Sequence, residues 1–75
     1  MTIEEIIGKV FNVDPEELDD SSSRSSIKGW DSMGHLNLIL ALEEEFQVSI
    51  AIADAIEIRS VENIKYVLRN YGVLC

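Results

Sequence analysis

Asp31-Ser32-Met33-Gly34-His35-Leu36-Asn37-Leu38-Ile39-Leu40-Ala41-Leu42-Glu43-Glu44-Glu45-Phe46 is the stretch whose periodicity decides the fold. Asp31 is a good N-cap, because its carboxylate can accept from the free N–H groups of a first helical turn. At about 100° per residue the apolar side chains behind it separate into two stripes. Leu38, Ile39, Leu42 and Phe46 fill one sector, wide enough to pack on other helices. Met33, Leu36 and Leu40 fill a second, flanked by Asn37 and Glu44 on one side and Glu43 on the other. Ser32 projects near the top of this second stripe, a placement that suits a hydroxyl bearing a long, partly apolar attachment. The free N–H groups and dipole of a helix N-terminus also favour a phosphate there. Taken alone, however, Asp-Ser before an apolar run is most simply a cap. Glu43, Glu44 and Glu45 crowd the far end and oppose the macrodipole by several tenths of a kcal/mol each. A local rule broken without visible gain points to a partner for the acidic end.

Outward from this helix the remaining elements follow. Thr2 and Glu5 have capping-box spacing, and Ile3, Ile6, Ile7, Val10 and Phe11 form one apolar stripe. Asp14-Pro15 interrupts it, so a helix is predicted over about 3–13. Residues 14–30 form a long polar loop carrying Ser21-Ser22-Ser23 and Ser25-Ser26, most simply a solvated, flexible bend. Leu18, Ile27 and Trp30 pin it to the core. A loop of this length leaves the helices it joins free to lie parallel. Phe46, Val48, Ile50 and Ile52 alternate as in a strand, but no partner strand exists, so Gln47 to Ala51 is read as extended loop. A short helix over about 52–57 follows. Ser60 then caps a helix over about 61–71, with Val61, Ile64, Val67, Leu68 and Tyr71 inward and Gly72 placed to end it. The predicted fold is all-α: one domain over 1–75, a small bundle of three main helices plus a short third one.

The chain has 75 residues, so only about 60% of the unfolded surface can be buried, and an enzyme with its own deep cleft does not fit. Hydrophobic residues make up 47%, which excludes disorder. A net charge of −8 repels phosphate backbones and anionic lipid, which excludes nucleic acid and membrane surfaces and favours protein partners with basic patches. Charge is uneven, with acidic blocks at 1–20 and 43–57. The single cysteine, Cys75, offers no internal bridge and has no inferred role, in keeping with a reducing cytosol. No apolar run approaches the ~20 residues of a membrane span, and the acidic start lacks a signal peptide's basic region. A cytoplasmic monomer is expected. Asp31, Ser32 and His35 do not make a hydrolase triad, since three neighbours on one helix lack a cleft and an oxyanion hole. His35 has no companion ligands, so no metal site is expected; a surface or boundary position is the simpler reading. Leu18 and Asp19 fall where a calcium loop from Asp14 would need an oxygen ligand and its turn glycine.

Gly29-Trp30-Asp31-Ser32-Met33-Gly34-His35-Leu36, followed by Ala41-Leu42-Glu43-Glu44-Glu45-Phe46, resembles the acyl carrier protein family across essentially the whole chain. The resemblance implies that Ser32 accepts a 4′-phosphopantetheine arm from coenzyme A, with acyl groups riding on its thiol as thioesters. It implies that Asp31 caps the helix and helps a phosphopantetheinyl transferase recognise it. By the same resemblance Met33, Leu36, Leu40, Glu43, Glu44, Ala55 and Ile58 would touch acyl-processing or acyl-transferring enzymes. Leu40, Ile50, Ile52, Ala55 and Ile58 would line an acyl pocket between the second and third helices. Gly34 and Asn37 stand where fatty-acid-synthesis carriers are often acidic, and Ile52, Ala53 and Ile56 make the third helix less acidic than theirs. Gly29-Trp30-Asp31-Ser32 and the His35 position look more like polyketide, nonribosomal or specialised-pathway carriers. The alternative from another class is an unmodified acidic helical interaction module.

Overall fold

The computed structural model describes residues 1–73; Cys75 lies outside them. Four α-helices follow in order: α1 Ile3–Phe11, α2 Ser32–Phe46, α3 Ile52–Glu57 and α4 Val61–Asn70, with a 3-10 turn at Pro15–Glu17. The described residues contain no strand beyond one isolated bridge between Ser23 and Ser60. The all-α expectation holds, and the alternating run after Phe46 is extended loop.

α1 begins with the capping box: Glu5 N–H donates to Thr2 Oγ1 at 3.1 Å and Thr2 N–H to Glu5 Oε1 at 2.8 Å. It ends at Phe11, two residues before the predicted limit. Asn12 takes a left-handed conformation at φ 56°, and Val13 N–H turns back to the Gly8 carbonyl at 3.1 Å. Asp14 then caps the 3-10 turn by accepting from Glu16 N–H at 3.0 Å. Short polar side chains tolerate left-handed backbone, so the helix closes before the proline would force it. α4 likewise stops one residue short of its predicted end.

α1 and α2 are antiparallel. The Met1 amino group lies 3.3 Å from Glu45 at the end of α2, whereas Phe11 stacks on Trp30 just before its start, ring centroids 5.5 Å apart. The long loop therefore leaves and returns at the same end of the bundle, and the parallel arrangement its length allowed is not adopted.

Between those points the loop caps α4, so it is not a simple solvated bend. A helix begins with N–H groups that have no intrahelical acceptor. In α4, Val61 N–H donates to the Ser22 carbonyl at 2.9 Å and Glu62 N–H to the Asp20 carbonyl at 3.1 Å. Asn63 N–H donates to Ser60 Oγ at 3.1 Å. Arg24 N–H adds a 2.8 Å bond to the Arg59 carbonyl. Lys65 bridges Asp20 at 2.9 Å and Glu4 at 3.2 Å, joining loop, α1 and α4. Ile27 and Trp30 are buried and Leu18 packs against the core, so all three expected pins are in place.

The core combines Ile3, Ile6 and Ile7 of α1, Leu38, Ile39 and Leu42 of α2, and Val61, Ile64, Val67 and Leu68 of α4, closed by Ile58. α3 contributes no fully buried residue within its own span. Its apolar Ile52 and Ile56 face solvent, 81% and 59% exposed.

Candidate functional site

α2 starts where two constraints meet. The Asp31 carboxylate accepts from Gly34 N–H at 2.8 Å, and the Asp31 carbonyl takes His35 N–H at 2.7 Å. Ser32 follows as the first helical residue and is exposed. Gly34 is required by close approach: a methyl there would lie 2.7 Å from Phe11 Cε1 and closer still to the Gly29 carbonyl oxygen. The loop thus lies tight against the first turn, which fixes where the serine emerges.

The two stripes of α2 divide as the wheel predicts. Leu38, Ile39 and Leu42 are buried, whereas Met33, Leu36 and Leu40 are 68%, 52% and 53% exposed. Ser32, Leu36 and Leu40 line an open groove of about 440 Å³ between α2 and α3. Its other walls include Ile39, Ile50, Ile52, Ala55 and Ile56, with Arg24, His35, Glu43 and Arg59 at its edges. Of the expected pocket residues, Leu40, Ile50, Ile52 and Ala55 all meet in this groove.

Ile58 does not. It is fully buried, beneath the end of α3, and belongs to the core. A side chain with no exposed surface can neither touch a partner nor line an open groove, so both roles expected of Ile58 are corrected.

The three terminal glutamates separate. The Glu43 carboxylate accepts from Ile50 N–H at 2.8 Å, holding the loop that follows α2. Glu45 pairs with the Met1 amino group. Glu44 remains exposed, in a shallow depression facing α1. Two of the three acids thus have structural partners that offset their unfavourable position on the helix dipole. The placement of these acids, which in sequence points to a partner, is in large part accounted for by the fold itself.

His35 is the residue whose role sequence reasoning missed. Trp30 Nε1–H donates to His35 Nδ1 at 2.9 Å, and His35 Nε2 lies 2.9 Å from the Ala55 carbonyl. Since Nδ1 must accept, the neutral ring carries its proton on Nε2 and donates to Ala55. One side chain therefore ties the loop, α2 and α3 together. At the other end of α3, the Tyr71 hydroxyl accepts from Ala51 N–H at 2.9 Å and donates to Asp54. The Asp54 carboxylate holds the Tyr71 hydroxyl's pKa above its ordinary value. α3 is thus secured by polar bonds at its two ends and by Ile58, with little burial of its own. A segment so held belongs to the readily opened part of a fold.

Among the described residues no cluster of His, Cys, Asp and Glu could hold a metal, and no helix is long and apolar enough to cross a membrane. The exposed Ser32 hydroxyl, the helix N-terminus beneath it and the adjoining apolar groove fit a phosphate-linked, partly apolar group.

Comparison with known proteins agrees with this geometry. Residues 2–65 match the family described as "Phosphopantetheine attachment site". The chain is 32% identical over 69 residues to an acyl carrier protein of Phaeodactylum tricornutum, covering 91% of each chain. It is 33% identical over 69 residues to one of Wolinella succinogenes, again 91% of each. To one of Bdellovibrio bacteriovorus it is 30% identical over 70 residues, covering 93% of this chain and 90% of that one.

Proposed function

The chain belongs to the phosphopantetheine-attachment family of acyl carrier proteins, and from that premise we propose that Ser32 is the attachment point. The observation that carries this is an exposed hydroxyl on the first residue of α2, beside the α2–α3 groove. Ser32 Oγ replaces the adenosine bisphosphate of coenzyme A at phosphorus, and the transferase takes the proton. When bound, the arm supplies a thiol that carries acyl groups as thioesters. The protein itself breaks no substrate bond. It is a carrier, and a substrate of its transferase.

The chain's residues then divide the work. Asp31 holds the first turn and orients the transferase. Met33, Leu36 and Leu40 offer an apolar docking stripe, with Glu43, Glu44 and Ala55 around it, to acyl-processing enzymes carrying basic patches. Glu44, free of a structural partner among the described residues, is the main charged contact. Leu40, Ile50, Ile52 and Ala55 shelter an acyl tail from water, burial worth about 0.8 kcal/mol per CH₂. α3 can yield to admit it. Tethering raises the cargo's effective concentration at each partner. Association led by opposite charges is fast and weakened by salt. The acidic surface favours a monomer, working in the cytoplasm where coenzyme A is available. The cargo belongs to fatty-acid, polyketide or related biosynthesis.

Incubation with coenzyme A and a broad-specificity phosphopantetheinyl transferase tests the assignment. Intact mass should show one added arm on the native chain and none on Ser32→Ala. An unmodified native chain would leave the acidic interaction module as the reading.

A further inference from the structure

Two of the six basic residues, Arg24 and Arg59, stand on the same groove as Ser32. They share one corner of it. Arg24 N–H bonds the Arg59 carbonyl at 2.8 Å, and Arg24 Nε donates to the carbonyl of Trp30, two residues before Ser32, at 3.1 Å. That bond orients the Arg24 guanidinium and leaves its terminal NH₂ groups available. Among the described residues the ion pairs involve Met1 and Lys65, and neither arginine takes part. In a chain with fourteen acidic residues, two arginines outside any ion pair among the described residues, on the groove that Ser32 also lines, are conspicuous. Among the described residues the acid on the groove's wall is Glu43. Asp31 accepts from Gly34 N–H, and Glu43 accepts from Ile50 N–H eleven residues along α2, about 16 Å away at 1.5 Å per residue. Two like charges on one groove repel each other less once an anion lies between them. Guanidinium groups match phosphate oxygens through paired N–H donors.

We infer that Arg24 and Arg59 clamp the phosphodiester that joins the arm to Ser32. The clamp directs the first segment of the arm over the α2–α3 groove, where the apolar walls can receive its cargo. The inference rests on Ser32 being the attachment point. Both arginines are exposed, so the clamp is weak and salt-sensitive, and the arm can swing away when a partner competes for it. A carboxylate on the cargo could offer similar oxygens, so the test uses an arm with no acyl group.

The native chain, ¹⁵N-labelled, is compared before and after loading with the bare arm, loading being verified by intact mass. The Nε–H signals of Arg24 and Arg59 should move on loading, while that of Arg69, at the end of α4, should not. The phosphodiester ³¹P resonance should shift in loaded R24Q and R59Q relative to native and R69Q. Arg59 bonds Arg24 through its backbone carbonyl, which R59Q keeps, so R59Q tests the clamp even if R24Q disturbs the loop. One arm on Ser32 with both arginine signals and the ³¹P resonance unmoved would overturn the clamp and leave the attachment intact. Movement seen only with a carboxylate-bearing cargo would also overturn it. Absence of any arm would remove clamp and attachment together.

Discussion

The indole N–H of Trp30 points at Nδ1 of His35 from 2.9 Å, and this single bond selects the histidine tautomer that can hold α3. Trp30 is buried, so its N–H has no ready substitute acceptor. Imidazole ¹⁵N spectra of the native chain should show Nδ1 unprotonated and Nε2 protonated. His35→Phe should cost about 1–3 kcal/mol, the penalty for a buried donor left unsatisfied. Amide exchange at Ile58, which closes α3, should accelerate in that variant. Unchanged exchange there would mean that His35 does not secure α3.

Gly34→Ala tests whether the glycine is a matter of space. Its new methyl would press on Phe11 and the Gly29 carbonyl, and a backbone oxygen cannot step aside as a flexible side chain can. Despite alanine's better helix propensity, a loss of about 1–3 kcal/mol is expected. Thermal unfolding should show it, and a stabilised variant would refute the close approach.

Ile58 and Ile52 should behave as opposites. Ile58→Ala empties a core position and should cost about 2–5 kcal/mol in chemical denaturation. Ile52→Ala alters a side chain 81% exposed and should stay within about 0.5 kcal/mol, while weakening retention of a bound acyl chain. Equal stability losses would contradict the division between core and groove.

Stability should fall at both pH extremes for identifiable reasons. Hydrogen bonds from Thr2 hold the Glu5 carboxyl below its ordinary value of 4.5. Its contribution is present above that value and is lost as pH falls through the lower folded value. The bond to Asp54 raises Tyr71 above its ordinary value of 10.0. That contribution is complete below 10.0 and disappears as pH rises through the folded value. Denaturation profiles of Glu5→Gln and Tyr71→Phe should therefore lose part of their pH dependence on the acid side and the alkaline side respectively. A native-like alkaline limb in Tyr71→Phe would assign that limb elsewhere, Lys65 being the first choice because Asp20 and Glu4 raise its pKa too.

Much of this protein was legible because its information is local. Capping at Thr2, Asp31 and Ser60, the stripes of α1, α2 and α4, and the absence of a partner for the run after Phe46 all depend on neighbours a few residues apart. The exposure of Met33, Leu36 and Leu40 followed from angle alone. The end of α1 was misplaced because Asn12 can close a helix through a left-handed turn that periodicity does not register.

What the sequence by itself determined, then, is the set of helices, the faces they bury and the position of Ser32 at a helix start. These depend on backbone propensity, caps and the 3.6-residue repeat, which act within a turn or two. Only the tertiary structure decided that the serine-rich loop caps α4, that Ile58 belongs inside, that Glu43 holds a loop, and that His35 joins Trp30 to Ala55. It alone brought Arg24 and Arg59 to one corner, thirty-five positions apart in the chain. Such pairings depend on how the free donors and acceptors of one element meet those of another after packing, and no repeat along the chain encodes that.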